Sequence, residues 1–185
     1  MSDHRGLICT QRSFLRTYNF VHEDLLQQCI SDIADKLRMT NGRYVGFFSD
    51  TAADKYQLKG QTIARTQPLT PALRTLLDHI NTTYRADCNG ILVNKYADGT
   101  HTIMRHSDSK NHADIGVLIL SSGATRTLKI YKKKAEHVAD VPLVHGQIVH
   151  MGGEFQQEFE HAIERENSVG ERISFSFHKY MGLGY

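Results

Sequence analysis

The sequence predicts an α+β chain that is mainly β, with an all-β sandwich or barrel-like core and two helices packed outside it. Two changes of period carry that expectation. Before residue 85 the apolar residues twice recur at spacings of three and four, as on one face of a helix. From residue 90 onward the period falls to two, and short β-branched or aromatic runs are separated by turn residues such as Asp98-Gly99, Ser121-Ser122-Gly123 and Gly152-Gly153. At 185 residues and 40% apolar, the chain is long enough to bury one core and is read as one domain.

Taken in order, residues 1–13 are polar and mixed and are expected to form a loosely ordered arm; the domain runs over 14–185. Phe14, Leu15, Tyr18, Phe20 and Val21 suit a short entering strand. Leu25, Leu26, Cys29, Ile30, Ile33, Ala34 and Leu37 make a helical stripe, with Glu23 and Asp24 at its positive end and Asn41-Gly42 as its stop. Residues 43–48 read as a strand, and the polar stretch 49–67 as a long loop or hairpin around Tyr56 and Leu58. A second helix opens at Thr70 as N-cap with Pro71 at the first helical position, and its stripe is Leu73, Leu76, Leu77, Ile80 and Tyr84. Seven strands follow, over residues 91–96, 102–106, 115–120, 127–131, 146–151, 155–163 and 172–178. Lys132-Lys133-Lys134 reads as a solvated strand end rather than a phosphate-binding patch.

Charge and cysteine content narrow the function classes. Twenty-two basic against 20 acidic residues leave a net charge of +2, so no global field draws the chain to nucleic acid or membrane, although local patches can. Cys9, Cys29 and Cys88 are odd in number and lack a Cys-x-x-Cys spacing, which suits free thiols in a reducing compartment. The first residues lack the apolar run of a signal peptide, and no stretch reaches transmembrane length. The expectation is an intracellular protein, cytoplasmic or nuclear, without a membrane partner.

The chemistry centres on His106-Ser107-Asp108. In an extended strand alternate side chains share a face, so an imidazole nitrogen and a carboxylate oxygen here can reach one metal ion. A third ligand must come from elsewhere, and His161 offers one; two histidines and a carboxylate with open positions suit non-heme Fe(II) oxygenases. His161, lying between Phe159 and Ile163, also fits a hydrogen-bonded core histidine. In the closing strand Ile173, Phe175 and Phe177 must face packing, so Arg172, Ser174, Ser176 and His178 share the opposite face. A cationic inner face is costly unless it meets an anion, and the planar guanidinium of Arg172 matches a carboxylate. An exposed bridge from Arg172 to Glu171 or Glu154 is the alternative. Asn94 and Tyr96 share one face of their own strand and can donate hydrogen bonds to one ligand.

In this order the motifs resemble those of the AlkB-like family of Fe(II)- and 2-oxoglutarate-dependent dioxygenases. The resemblance runs from about Phe14 to Lys179. It includes Gly46-Phe47-Phe48, the 56–60 segment, Thr70-Pro71-Ala72-Leu73, Asn94-Lys95-Tyr96, His106-Ser107-Asp108, Ser121 to Arg126, His145-Gly146, Gly152-Gly153-Glu154, His161 and Arg172-Ile173-Ser174-Phe175-Ser176-Phe177. It implies a double-stranded β-helix (jelly-roll) core over about 90–180, with a substrate lid over about 46–67. It also implies that His106, Asp108 and His161 bind Fe(II) and carry the catalysis. Arg172 would hold the distal carboxylate of 2-oxoglutarate, with Tyr96 donating a hydrogen bond, Asn94 near the metal end, and Ser174 and His178 completing the co-substrate site. With O2, such enzymes commonly hydroxylate an N-methyl group to a hemiaminal that releases formaldehyde. The implied substrate is DNA or RNA, as a single strand or a flipped base, met by a monomer; a protein side chain, lipid or metabolite, or a silent binding module, are the alternatives. Tyr56, Phe48 and Lys110 are the candidate substrate contacts. Tyr56 could stack on a base or merely anchor a hairpin.

Two departures stand out. The family's closing strand usually reads Arg-x-Asn-x-x-x-Arg; here Ser174 replaces the Asn, and His178 replaces the second Arg, which normally contacts the metal-side carboxylate of the co-substrate. Base-repairing members also commonly carry acids just beyond the His-x-Asp, where this chain has Ser109-Lys110. An acid there can accept from an exocyclic amine, and Lys110 cannot. That departure argues against alkylated adenine and cytosine without touching the metal chemistry.

Overall fold

The change of period near residue 90 corresponds to a physical boundary between a helical flank and a two-sheet core. The computed structural model describes residues 6–50, 56–58, 61–63, 66–108 and 115–179. In chain order the elements are β1 (Gly6–Cys9), β2 (Ser13–Asn19), α1 (Glu23–Ile33), β3 (Arg38–Thr40), β4 (Arg43–Ser49), β5 (Tyr56–Leu58), β6 (Gln61–Ile63), α2 (Pro71–Tyr84), β7 (Gly90–Tyr96) and β8 (Ile103–His106). They continue with β9 (Val117–Gly123), β10 (Arg126–Lys132), β11 (His137–Leu143), β12 (Gln147–Gly153), α3 (Phe155–Glu158), β13 (Phe159–Ile163) and β14 (Arg172–His178).

An eight-stranded sheet runs β1-β2-β12-β9-β14-β7-β4-β3 and a four-stranded sheet runs β11-β10-β13-β8, with antiparallel ladders; β5 and β6 form a separate hairpin. Of the last eight strands, β7, β9, β12 and β14 lie in the large sheet and β8, β10, β11 and β13 in the small one, as in a double-sheet jelly roll.

The alternation in β14 decides where the core and the site lie. Ile173, Phe175 and Phe177 join a cluster with Ile91 and Val93 of β7, Leu118 and Leu120 of β9, and the buried faces of α1 and α2. Burying a Phe of this kind contributes roughly 1.5–3 kcal/mol. A second cluster fills the space between the sheets with Val117, Ile119, Leu128, Ile130, Val141, Leu143 and Val149. The polar set of β14 is left facing that inter-sheet space.

Thr70 caps α2, its Oγ1 accepting from the Leu73 amide at 3.3 Å, and Pro71 follows at the first helical position. α1 ends at Ile33, earlier than the stripe to Leu37 suggested. Asn41-Gly42 is not a helix stop but the two-residue turn of the β3–β4 hairpin. Both residues have positive φ (48° and 81°), which an Asn-Gly pair accommodates and most other pairs do not. Residues 6–9, within the stretch expected to be an arm, form an edge strand on β2. Two further differences concern the small sheet. β11 was not anticipated, because its charges and Pro142 obscure the period of two; as an edge strand it tolerates the proline. Residues 155–158 form a helical turn, so only 159–163 of the expected strand is extended. Among the described residues, no helix is long and apolar enough to cross a membrane.

Candidate metal and co-substrate site

β8 and β13 are antiparallel neighbours, and their register sets His161 directly opposite His106. Their rings lie 4.4 Å apart, centroid to centroid. β8 ends at His106, so Asp108 sits just beyond the strand, yet the alternation persists. Ser107 turns the other way, its Oγ donating to the Phe159 carbonyl at 3.0 Å, and the Asp108 amide donates to Gln156 Oε1 at 2.9 Å. Asp108 thereby faces both histidines, 3.6 Å from His106 Nε2 and 3.7 Å from His161 Nε2. The three donor atoms lie within 4.8 Å of one another. His106 Nδ1 donates to the Met104 carbonyl at 2.8 Å, which fixes the tautomer and leaves the Nε2 lone pair toward the site.

The electrostatics agree with a cation-binding triad. Burial alone would raise the Asp108 carboxyl, but the His161 and His106 imidazoles outweigh it and hold the pKa well below the usual carboxylate range. At His106 burial opposes the charged form, and the Asp108 carboxylate more than compensates, so its pKa is raised. Two neutral-capable imidazoles and a carboxylate, close together and partly shielded, are a donor set that fits Fe(II) with positions left for other ligands.

These groups line one end of a cavity of about 540 Å³ between the sheets, which Asn94, Tyr96, Arg172, Ser174, Ser176 and His178 also line. Arg172 is 1% exposed and pairs in register with Tyr96 on β7. Its Nη2 donates to Ser121 Oγ at 2.9 Å, while buried Nε and Nη1 have no partner among the described residues. Burial pulls this guanidinium down to about 10, against the opposing effect of the Tyr96 phenol. Tyr96 lies between two cations, with the Arg172 guanidinium 5.4 Å and that of Arg126 5.6 Å from its ring centre. A buried guanidinium with unmet donors beside a metal-type triad is a cradle for a carboxylate, and 2-oxoglutarate supplies one at its distal end. His178 is 3% exposed, and its charge would act on Asp108.

Two buried arginines are given no role by the sequence reading. Arg43, 7% exposed at the start of β4, lines the cavity and donates from Nε to Asn94 Oδ1 at 2.7 Å. Its only sequence signal is a charge in phase with Val45, which lies opposite Asn94. Arg126, 0% exposed, donates to the carbonyls of Asp98 (3.1 Å), His101 (3.1 Å) and Glu164 (2.7 Å). It ties the turns flanking β8 and β13, the two strands that carry the histidines. Phe48 must be corrected as a substrate contact: it is fully buried in the helix-side cluster, because its position on β4, opposite Ile91, points it away from the cavity. Tyr56 lies on β5 with its side chain outside the described residues, and Lys110 lies outside them altogether.

A family profile described as the 2OG-Fe(II) oxygenase superfamily matches residues 15–178. Among curated relatives, the human DNA oxidative demethylase ALKBH2 is 25% identical over 137 residues, 68% of this chain and 52% of that protein. The human alpha-ketoglutarate-dependent dioxygenase alkB homolog 3 is 31% identical over 119 residues, 58% of this chain and 42% of that protein. The chain thus spans about half the length of the curated relatives it matches. In fold it resembles OsALKBH1, with a TM-score of 0.62 at 12% identity, covering 95% of this chain and 100% of that one. It also resembles a Trichoplax adhaerens prolyl hydroxylase, with a TM-score of 0.58 at 10% identity, covering 89% and 83%. The chain belongs to the 2OG-Fe(II) oxygenase superfamily.

Proposed function

We propose that this dioxygenase oxidatively demethylates N-alkylated bases in DNA or RNA, presented as a single strand or a flipped base. The observation that carries the reading is the unmet buried guanidinium of Arg172 in the same cavity as His106, Asp108 and His161. In this reading the three residues hold the iron through His106 Nε2, an Asp108 oxygen and His161. Arg172 takes the distal carboxylate of 2-oxoglutarate, with Ser121 fixing one side of its fork and Tyr96 closing the cavity beside it against water. Asn94, Ser174 and His178 line the approach toward the metal. With the co-substrate and O2, the iron supplies a two-electron oxidation of a C–H bond, converting 2-oxoglutarate to succinate and CO2. An N–CH3 group becomes N–CH2OH, which releases formaldehyde and leaves N–H.

The relatives' names support the nucleic-acid part of the reading, ALKBH2 being a DNA oxidative demethylase. Residues 14–185 act as one catalytic domain, with α1 and α2 outside the jelly roll and a substrate lid that begins only after β4, whose residues 46–49 are buried in the large sheet. The enzyme works inside the cell as a monomer. The near-neutral charge of +2 favours a second reading, the same oxidation on a protein side chain or metabolite. Incubation with Fe(II), 2-oxoglutarate and singly methylated DNA and RNA oligonucleotides separates the two. Equal amounts of succinate and formaldehyde, dependent on the methylated strand, are expected. Succinate formation that no methylated oligonucleotide stimulates would remove the nucleic-acid reading.

A further inference from the structure

His145 stands in the turn between β11 and β12, where the ladder joining β9 to β12 runs out. The last pair of that ladder is Ser121 opposite Gln147, and the Gly123 amide lies two residues beyond it. An imidazole takes the place of the missing strand. His145 Nδ1 accepts from the Gly123 N–H at 3.1 Å, and Ser122 Oγ lies 3.4 Å from the same nitrogen. A backbone N–H can only donate, so the ring proton sits on Nε2, which donates to the Glu23 carboxylate in the first turn of α1 at 2.9 Å. The Gly146 amide donates to the Ser121 carbonyl at 2.9 Å, and the Gly146 carbonyl accepts from the Phe20 amide at 2.7 Å. Residues 145–146 thus grip the end of β9 on one side and the entry to α1 on the other.

The segment held in this way is the seat of Arg172. Gly123 pairs directly with Arg172 on β14, and Ser121 accepts from Arg172 Nη2 at 2.9 Å. Gly123 has a φ of 89°, and a Cβ there would collide with the Glu171 carbonyl, so the crossing is too close to be braced by a side chain of its own. We propose that His145 is a positioning residue for the co-substrate: it locks the end of β9 and so presents the Arg172 guanidinium to the distal carboxylate of 2-oxoglutarate. His145 is not among the described residues lining the cavity, so it acts only through Arg172. A guanidinium–carboxylate contact depends on angle as well as charge, and a small tilt of Arg172 is felt in affinity. The His145–Glu23 pair is exposed, at 41% and 54%, and its attraction contributes little by itself; it aims the ring. The inference rests on the reading that Arg172 holds 2-oxoglutarate and names what holds Arg172.

The experiment uses the full chain loaded with Fe(II) without oxygen. Affinity for 2-oxoglutarate is read by calorimetry, beside iron affinity and the urea midpoint. His145→Ala removes the ring, whereas His145→Asn still offers an oxygen to the Gly123 N–H. His145→Ala is expected to weaken 2-oxoglutarate binding about three- to tenfold with iron affinity unchanged, and His145→Asn to recover most of the loss. In an Arg172→Met background His145→Ala should add nothing, because the two residues act through one contact. Nitrogen NMR of the wild type at slightly alkaline pH should show His145 as the neutral Nε2–H form. A proton on Nδ1 overturns the proposal, and that measurement stands whether or not the variants fold. So does unchanged co-substrate affinity in folded His145→Ala, or a loss that adds to that of Arg172→Met. A parallel fall in iron affinity and urea midpoint that His145→Asn does not rescue also overturns it, since that marks a merely structural role. If Arg172→Met itself leaves 2-oxoglutarate binding unchanged, the co-substrate reading fails and takes this inference with it; failure at His145 alone leaves that reading standing.

Discussion

Arg172 and Tyr96 face each other across the β14–β7 ladder, the guanidinium 5.4 Å from the ring centre, with Ser121 taking only one of its nitrogens. The guanidinium lines the cavity, and its buried Nε and Nη1 have no partner among the described residues. Arg172→Lys keeps the charge but loses the fork, and Arg172→Met loses both. Charge-assisted hydrogen bonds contribute about 1.5–3 kcal/mol, so the KM for 2-oxoglutarate should rise about 10- to 100-fold in Arg172→Met and less in Arg172→Lys. Steady-state succinate formation against co-substrate concentration measures both.

His178 stands where the family places a second arginine. It lines the cavity and is close enough for its charge to act on Asp108. Restoring the cation in His178→Arg should tighten 2-oxoglutarate binding by about threefold or more. Unchanged or weaker binding in a folded His178→Arg would mean that the metal-side carboxylate is not held from this position.

Arg126 is a structural cation rather than a ligand-binding one. Its three carbonyl partners belong to the segments flanking β8 and β13, so removing it strands those carbonyls and loosens the strands that bring His106 and His161 together. Arg126→Met should cost about 3 kcal/mol of stability, read from the urea midpoint, and weaken metal binding without altering the ligands themselves.

His150 offers a pH test away from the metal. Its Nε2 donates to the Ile115 carbonyl at 2.6 Å, and Phe14 packs on its ring at 4.9 Å. Burial, with a smaller effect of Arg16, lowers its pKa below the ordinary 6.5. A histidine with a lowered folded pKa contributes full stability above 6.5 and loses it as pH falls from there through the folded pKa. The wild type should therefore lose more stability between pH 7.5 and 5.5 than His150→Gln does. Urea unfolding at the two values checks the sign.

How much of this was legible in the sequence depended on what set each position. The β14 pattern was readable because apolar and polar residues alternate over seven positions, and a one-residue slip would bury Arg172 among the helices. His106 and Asp108 were readable from spacing, although the local reason is the turn of buried Ser107 toward the Phe159 carbonyl rather than a continuous strand. Arg43 was hidden because one charge at the start of an aromatic strand looks like a solvated end; only the β4–β7 register turns it inward beside Asn94. β11 was hidden for the opposite reason, since an edge strand is half solvated and needs no clean alternation. Phe48 misled because aromaticity near the expected lid suggested stacking, whereas its parity on β4 places it against the helices.

The central claim is that His106, Asp108 and His161 hold one Fe(II) and that 2-oxoglutarate binds across that ion to Arg172. Anaerobic calorimetry with Fe(II) and then 2-oxoglutarate tests it most directly, on the wild type, Asp108→Ala and Arg172→Met. One iron per chain, co-substrate binding only after iron, loss of both in Asp108→Ala, and loss of co-substrate alone in Arg172→Met are the predicted results. Tight 2-oxoglutarate binding without metal, or iron binding that survives in Asp108→Ala, would contradict the account.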